Sequence, residues 1–245
     1  MEPIYTQNFE IGENCVDCFG RMRASVILYI AQEMGGRHSE LMSLDYDTLA
    51  GKRMVWAVIR HRVQITRWPT RGETLRVETW PMPATRTAFP RSVVACDAEG
   101  NECFRAITLW VLMDLDTRNM ILPGKSGIDF VGTVRGTELA LPGSLVPKPM
   151  EACRERTVCF TDLDRNGHMN NTRYLDWVDD LFPSDFHRSR SLREFTVCYH
   201  AESREGQTLQ MHYGYIDADC IQVDAMRADS DGSHRVFSAR LLLEA

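Results

Sequence analysis

Asp164-Arg165-Asn166-Gly167-His168-Met169 runs into the helix-like stretch Asn171-Thr172-Arg173-Tyr174-Leu175-Asp176-Trp177-Val178-Asp179-Asp180. Much earlier, Asp17-Cys18-Phe19-Gly20-Arg21-Met22 runs into Ala24-Ser25-Val26-Ile27-Leu28-Tyr29-Ile30-Ala31-Gln32-Glu33-Met34. Placing Gly20 on Gly167 sets Met22 on Met169 and Ser25 on Thr172, a constant offset of 147. Both stretches carry apolar residues at i, i+3, i+4 and i+7, the spacing of one helix face: Ile27, Ile30, Ala31 and Met34 in one, Tyr174, Trp177, Val178 and Leu181 in the other. Gly35-Gly36 is expected to stop the first helix, and Asn170 to cap a second that begins at Asn171.

Strands follow each helix. Trp56 to Val63 precedes Gly72 to Trp80, in which Leu75, Val77 and Thr79 alternate; Phe195 to Tyr199 precedes Gly206 to Met211. Each half closes with a hairpin, turning at Glu99-Gly100 and at Asp231-Gly232. Between the halves, Asp116 to Met150 is punctuated by Gly and Pro as a linker is. The chain therefore reads as an N-terminal domain over 1–120, a linker over 121–150 and a C-terminal domain over 151–245. The expected class is α+β: two antiparallel sheets, each wrapped around a long helix, side by side as a pseudo-dimer.

Composition narrows the function. The 245 residues are 44% hydrophobic and 25% charged, and no apolar run approaches the roughly 18 residues needed to cross a bilayer. Twenty-eight Lys and Arg against 34 Asp and Glu give a charge of -6, the wrong sign for a nucleic-acid footprint. The amino terminus has no basic-then-apolar leader pattern, so the expected location is cytoplasmic. In that setting the eight cysteines are expected to be reduced. Cys15 and Cys18 form one Cys-x-x-Cys with no second pair to complete a zinc set, so no metal is expected.

Chemistry concentrates at the second loop. In an extended chain Asp164, Asn166 and His168 share a side. An acid beside an imidazole can orient its ring, and a carboxamide can donate to a carbonyl. Free amides at the following helix start would suit a developing oxyanion. The first loop has Phe19 and Arg21 where the second has Asn166 and His168, so the polar pair is not demanded by the scaffold. Glu202, after the strand ending at Tyr199, is a further candidate. His200 and Ser203 suggest a Ser-His-acid triad, but Ser203 lies in no strand-to-helix elbow, and that reading is set aside.

Asp164-Arg165-Asn166-Gly167-His168-Met169-Asn170-Asn171-x-x-Tyr174, with Trp177-Val178 and the later Glu202, resembles the acyl-acyl carrier protein thioesterases, tandem hotdog enzymes of fatty-acid synthesis. The likeness covers essentially the whole chain, including Trp110 to Arg118. It implies hydrolysis of the thioester between a fatty acyl chain and the phosphopantetheine arm of acyl carrier protein, without a cofactor, at Asp164, Asn166, His168 and Glu202. The plant pattern has Cys after that Glu, where this chain has Ser203, which favours attack by water over a cysteine nucleophile. The first half is expected to line the acyl slot, with Met22, Ile27, Ile30, Met34, Met54 and Trp56. The carrier of this family is acidic, so docking on an acidic enzyme calls for a local basic patch. Arg188, Arg190 and Arg193 are the candidates, with Arg60, Arg62, Arg67 and Arg71 as others. Neither nucleic acid nor membrane insertion is expected; a homodimer is left open. Competing readings are an acyl-CoA thioesterase of the same fold and a non-catalytic acyl-binding protein.

Overall fold

The computed structural model describes residues 3–136, 139–150, 152–189, 191–230 and 232–244. The chain divides into two compact units, Met1–Arg23 with Tyr29–Pro142, and Ala24–Leu28 with Gly143–Ala245.

The first unit contains strand β1 (Tyr5–Glu10), helix α1 (Ala24–Leu41) from Tyr29 onward, helix α2 (Tyr46–Gly51), and strands β2 (Met54–Ile65), β3 (Thr74–Pro81), β4 (Phe89–Cys96), β5 (Glu102–Asp114) and β6 (Met120–Ile121). All pairings are antiparallel, in the order β1-β3-β4-β5-β2, with β6 added to β5. On β3 the alternation expected from the sequence is present: Leu75, Val77 and Thr79 are fully buried, while Thr74 and Arg76 face solvent. α1 meets β1 through Tyr29 on Phe9 and His38 on Tyr5, and meets β4 at Arg91.

α1 does not stop at Gly35-Gly36. It continues to Leu41 and ends where Ser43 adopts a positive φ. Glycine inside a helix costs about 1 kcal/mol relative to Ala, but the buried stripe continues from Met34 past the pair to His38. Gly35 also admits a close neighbour: a Cβ there would lie 3.3 Å from Arg91 Cδ.

The second unit contains β7 (Ala152–Thr157), α3 (Arg173–Asp179), α4 (Ser184–Ser189), β8 (Leu192–Tyr199), β9 (Thr208–Asp217), β10 (Cys220–Asp229) and β11 (Gly232–Leu243). Its antiparallel order is β8-β11-β10-β9-β7. The repeat extends back into the opening strands, since β1 and β7 stand at the same 147-residue offset as the loops. α3 is anchored by Tyr174, stacked on Phe237 of β11 with ring centres 4.7 Å apart, and by Trp177 beneath the Arg156 guanidinium of β7. It begins at Arg173, not Asn171, because the Asn170 side chain first closes a turn by accepting from Thr172 N at 2.9 Å. Asp231, half of the last expected hairpin turn, lies outside the described residues. No helix among the described residues is long and apolar enough to cross a membrane.

Candidate active site

The loop after β7 is built by one aspartate. Asp164 Oδ1 accepts from the backbone amides of Asn166 (2.8 Å) and His168 (3.3 Å). Asp164 N in turn donates to His168 O at 2.7 Å. Gly167, at φ +73°, supplies the left-handed residue that closes the loop. The segment is thus a tight turn and not extended, so Asp164 and His168 meet through backbone. The Asp164 carboxylate reaches the side chain of Asn166, whose Nδ2 lies 3.3 Å from Oδ2. The amide's second N–H can still serve a ligand.

The His168 imidazole turns instead toward the loop between β8 and β9. Its Nε2 lies 3.3 Å from Glu202 Oε2, with the imidazole mostly buried and the carboxylate about half exposed. This is ion-pair distance without hydrogen-bond alignment; such catalytic contacts are often loose until substrate is bound. Met169 N donates to Ser203 O at 2.8 Å and locks the two loops together. Asp164, Asn166, His168 and Glu202 therefore form one cluster within the second unit.

The expectation of free amides at the helix start does not hold for two of them: Thr172 N and Arg173 N are bound to Asn170, by its side chain and its carbonyl respectively. The Ser-His-acid triad set aside from the sequence finds no support either, since His200 Nε2 lies 3.2 Å from Ser238 Oγ, and that hydroxyl donates to Asp224 at 2.6 Å. Ser203 is fully buried beside Tyr174, whose phenol is pushed up to about 12, chiefly by burial.

The first unit repeats this scaffold. Asp17 Oδ1 accepts from Phe19 N and Arg21 N at 2.8 and 3.0 Å, Gly20 has φ +76°, and Met22 N donates to Pro69 O at 2.8 Å. Pro69 thus occupies the place of Ser203, and Trp68 that of Glu202. Thr70 N on Glu73 Oε1 (2.7 Å) matches Arg204 N on Gln207 Oε1 (2.8 Å). At the three positions that bear the candidate side chains the chemistry differs: Phe19 for Asn166, Arg21 for His168 and Trp68 for Glu202. The first two were visible in the sequence repeat. The third emerges only when hydrogen bonds align the loops, because the offset there has changed.

The six expected slot residues fall into two groups. Met22, Ile27, Ile30 and Met34 are buried in or just before α1, Ile27 within the segment grouped with the second unit. Met54 and Trp56 belong to another cluster, around Leu49, Phe89 and Leu112. Trp56 donates to Leu44 O there and meets Phe89 edge-on. Of the expected docking residues, Arg188 is exposed on α4, Arg193 is bound to Asp219 at 2.8 Å, and Arg190 lies outside the described residues. Arg67 and Arg71 pair with Glu73 and Glu13, while Arg60 and Arg62 donate to linker carbonyls. The eight cysteines are unbridged among the described residues.

The solved acyl-ACP thioesterase from Bacteroides thetaiotaomicron superposes with a TM-score of 0.90 over 99% of this chain and 98% of its own, at 24% identity. The 12:0-ACP thioesterase from Umbellularia californica gives 0.82 over 100% and 98%, at 23% identity. These likenesses establish the tandem hotdog fold. The chloroplastic palmitoyl-acyl carrier protein thioesterase of Cuphea hookeriana is 24% identical over 223 residues, 84% of this chain and 54% of that protein. The oleoyl-acyl carrier protein thioesterase 1 of Arabidopsis thaliana is 24% identical over 83% of this chain and 60% of that protein. The chain thus spans somewhat more than half the length of these curated relatives. The family model for the acyl-ACP thioesterase N-terminal domain matches residues 2–122 and that for the C-terminal domain matches residues 148–239. With both halves matched in order, the chain belongs to the acyl-ACP thioesterase family.

Proposed function

We propose that this protein hydrolyses fatty acyl thioesters of acyl carrier protein, releasing free fatty acid and the carrier thiol. The observation that carries the reading is the His168–Glu202 pair at 3.3 Å, on a scaffold whose other copy holds Arg21 and Trp68. A water beside the imidazole–carboxylate pair loses a proton to it as the water oxygen bonds to the thioester carbon. The carbonyl electron pair moves onto oxygen, where the remaining N–H of the Asn166 amide stabilises it. Collapse of the tetrahedral adduct breaks the C–S bond, and the proton returns to the departing sulfur. Asp164 holds Asn166 and the loop. The acyl chain lies in the first unit, against Met22, Ile30 and Met34. Arg188 and Arg193 contribute to carrier docking.

The test is analysis of the fatty acids released by the purified protein from a mixed acyl carrier protein pool, with the corresponding acyl-CoA set in parallel. Expected are release from the carrier pool, a loss of roughly 100-fold or more in His168→Ala and Glu202→Ala, and a shift to shorter products in Ile30→Trp. Folded His168→Ala and Glu202→Ala proteins with undiminished rates would refute the catalytic reading. Hydrolysis of acyl-CoA alone would refute the carrier assignment.

A further inference from the structure

Glu202 stands on the loop of residues 200–207, and four of the ties that hold this loop lie at or beyond Glu202. Ser203 O accepts from Met169 N, Gly206 N donates to Val158 O at 2.9 Å, and Gln207 Oε1 accepts from Arg204 N. The fourth tether is Arg227 of β10. Its Nη1 donates to the carbonyl of Glu202 itself at 2.6 Å and to Gln207 Oε1 at 3.1 Å. Arg227 is mostly buried, and the Asp229 carboxylate aims it by accepting from Nε at 2.8 Å and from Nη2 at 2.8 Å.

The first unit shows which tethers belong to the scaffold. There Met22 N on Pro69 O, Gly72 N on Ile11 O and Thr70 N on Glu73 Oε1 reproduce three of the four. The carbonyl of Trp68, at the position of Glu202, accepts from an arginine at 3.5 Å. That arginine is Arg67, its immediate neighbour in the chain, which is engaged with Glu73 and Asp97. In the second unit the tether onto this carbonyl is short and comes from a distant strand, on a residue whose carboxylate faces an imidazole. A side chain that must face a partner within a few tenths of an ångström needs its backbone held, and misplacement by about 1 Å can cost roughly 100-fold in rate.

We infer that Arg227 is a positioning residue, fixing Glu202 through its backbone carbonyl so that the carboxylate meets His168. This rests on the reading of Glu202 as part of the catalytic pair. The test compares kcat and KM on acyl carrier protein substrate for Arg227→Met, Asp229→Asn, Glu202→Gln and the doubles of each of the first two with Glu202→Gln. Expected is a kcat loss of about 10- to 100-fold in Arg227→Met with KM little changed, and a smaller loss of the same kind in Asp229→Asn. Each double is expected to be no slower than Glu202→Gln alone, because a residue acting through Glu202 has nothing left to position. Losses that multiply in the doubles would overturn the inference, as would an undiminished kcat in Arg227→Met beside a slow Glu202→Gln. If Arg227→Met fails to fold, Asp229→Asn and its double decide by the same criteria. A fully active Glu202→Gln would instead remove the catalytic reading on which the inference stands.

Discussion

Asp17 and Asp164 do the same work in two places, each accepting from the backbone amides two and four residues ahead. The aspartate is therefore required by the turn, and the residues on the turn are free to differ. In the first unit they satisfy one another: Arg21 pairs with Asp17 at 3.3 Å and lies over the Phe19 ring, 5.2 Å from its centre. In the second unit Asn166 and His168 are turned toward solvent and toward Glu202. A left-handed conformation costs a residue with a side chain roughly 1–2 kcal/mol, and a Cβ on either loop glycine would meet no atom within 4 Å. Gly20→Ala and Gly167→Ala are therefore expected to lower stability by similar amounts in denaturant titration. Gly167→Ala is expected to lower turnover as well. An equal loss of turnover in both would mean that the second loop is not the working one.

At the level of elements, α1 shows how packing outvotes local preference. Gly35 and Gly36 are adjacent but not equivalent. Gly36 is exposed and a Cβ there meets nothing within 4 Å, whereas Gly35 is buried against Arg91. Gly36→Ala is expected to stabilise the protein by about 0.5–1 kcal/mol through reduced chain entropy. Gly35→Ala is expected to give less or to destabilise, because its methyl group presses on a side chain that is itself confined. Thermal melts of the two variants check this; equal stabilisation would show that Arg91 yields freely. α3 makes the complementary point. Its apolar spacing was readable, but its first turn was not, since the Asn170 carboxamide competes with the helix for the Thr172 amide.

Across the molecule, the first unit keeps buried groups whose ionisation is tied to folding. His61, wholly buried and hydrogen-bonded to Thr108 across the β2–β5 pair, is pushed down from 6.5 to about 3 by burial. Burial likewise pushes the Arg91 guanidinium down to about 10. The unfolded chain takes up a proton at His61 near pH 6.5, which the folded protein refuses until about pH 3, so stability is complete above 6.5 and falls as pH drops through that window. The slope approaches about 1.4 kcal/mol per pH unit. Urea unfolding between pH 6.5 and 5 is expected to show this fall, and His61→Gln to flatten it. An unchanged slope in the variant would assign the effect to other groups. The sequence by itself determined the α+β class, the duplicated loop and helix, and the polar cluster present in one copy, because these rest on local periodicity and on turn residues with fixed offsets. It also pointed to Glu202, through resemblance. Only the tertiary structure decided that Asp164 builds the loop while His168 faces Glu202, that Trp68 is the counterpart of Glu202, that Arg227 holds the loop, and that α1 runs through two glycines. Apart from the local Asp164 turn, those outcomes depend on contacts between residues tens of positions apart, whose strength is set by burial and alignment and leaves no trace in spacing along the chain.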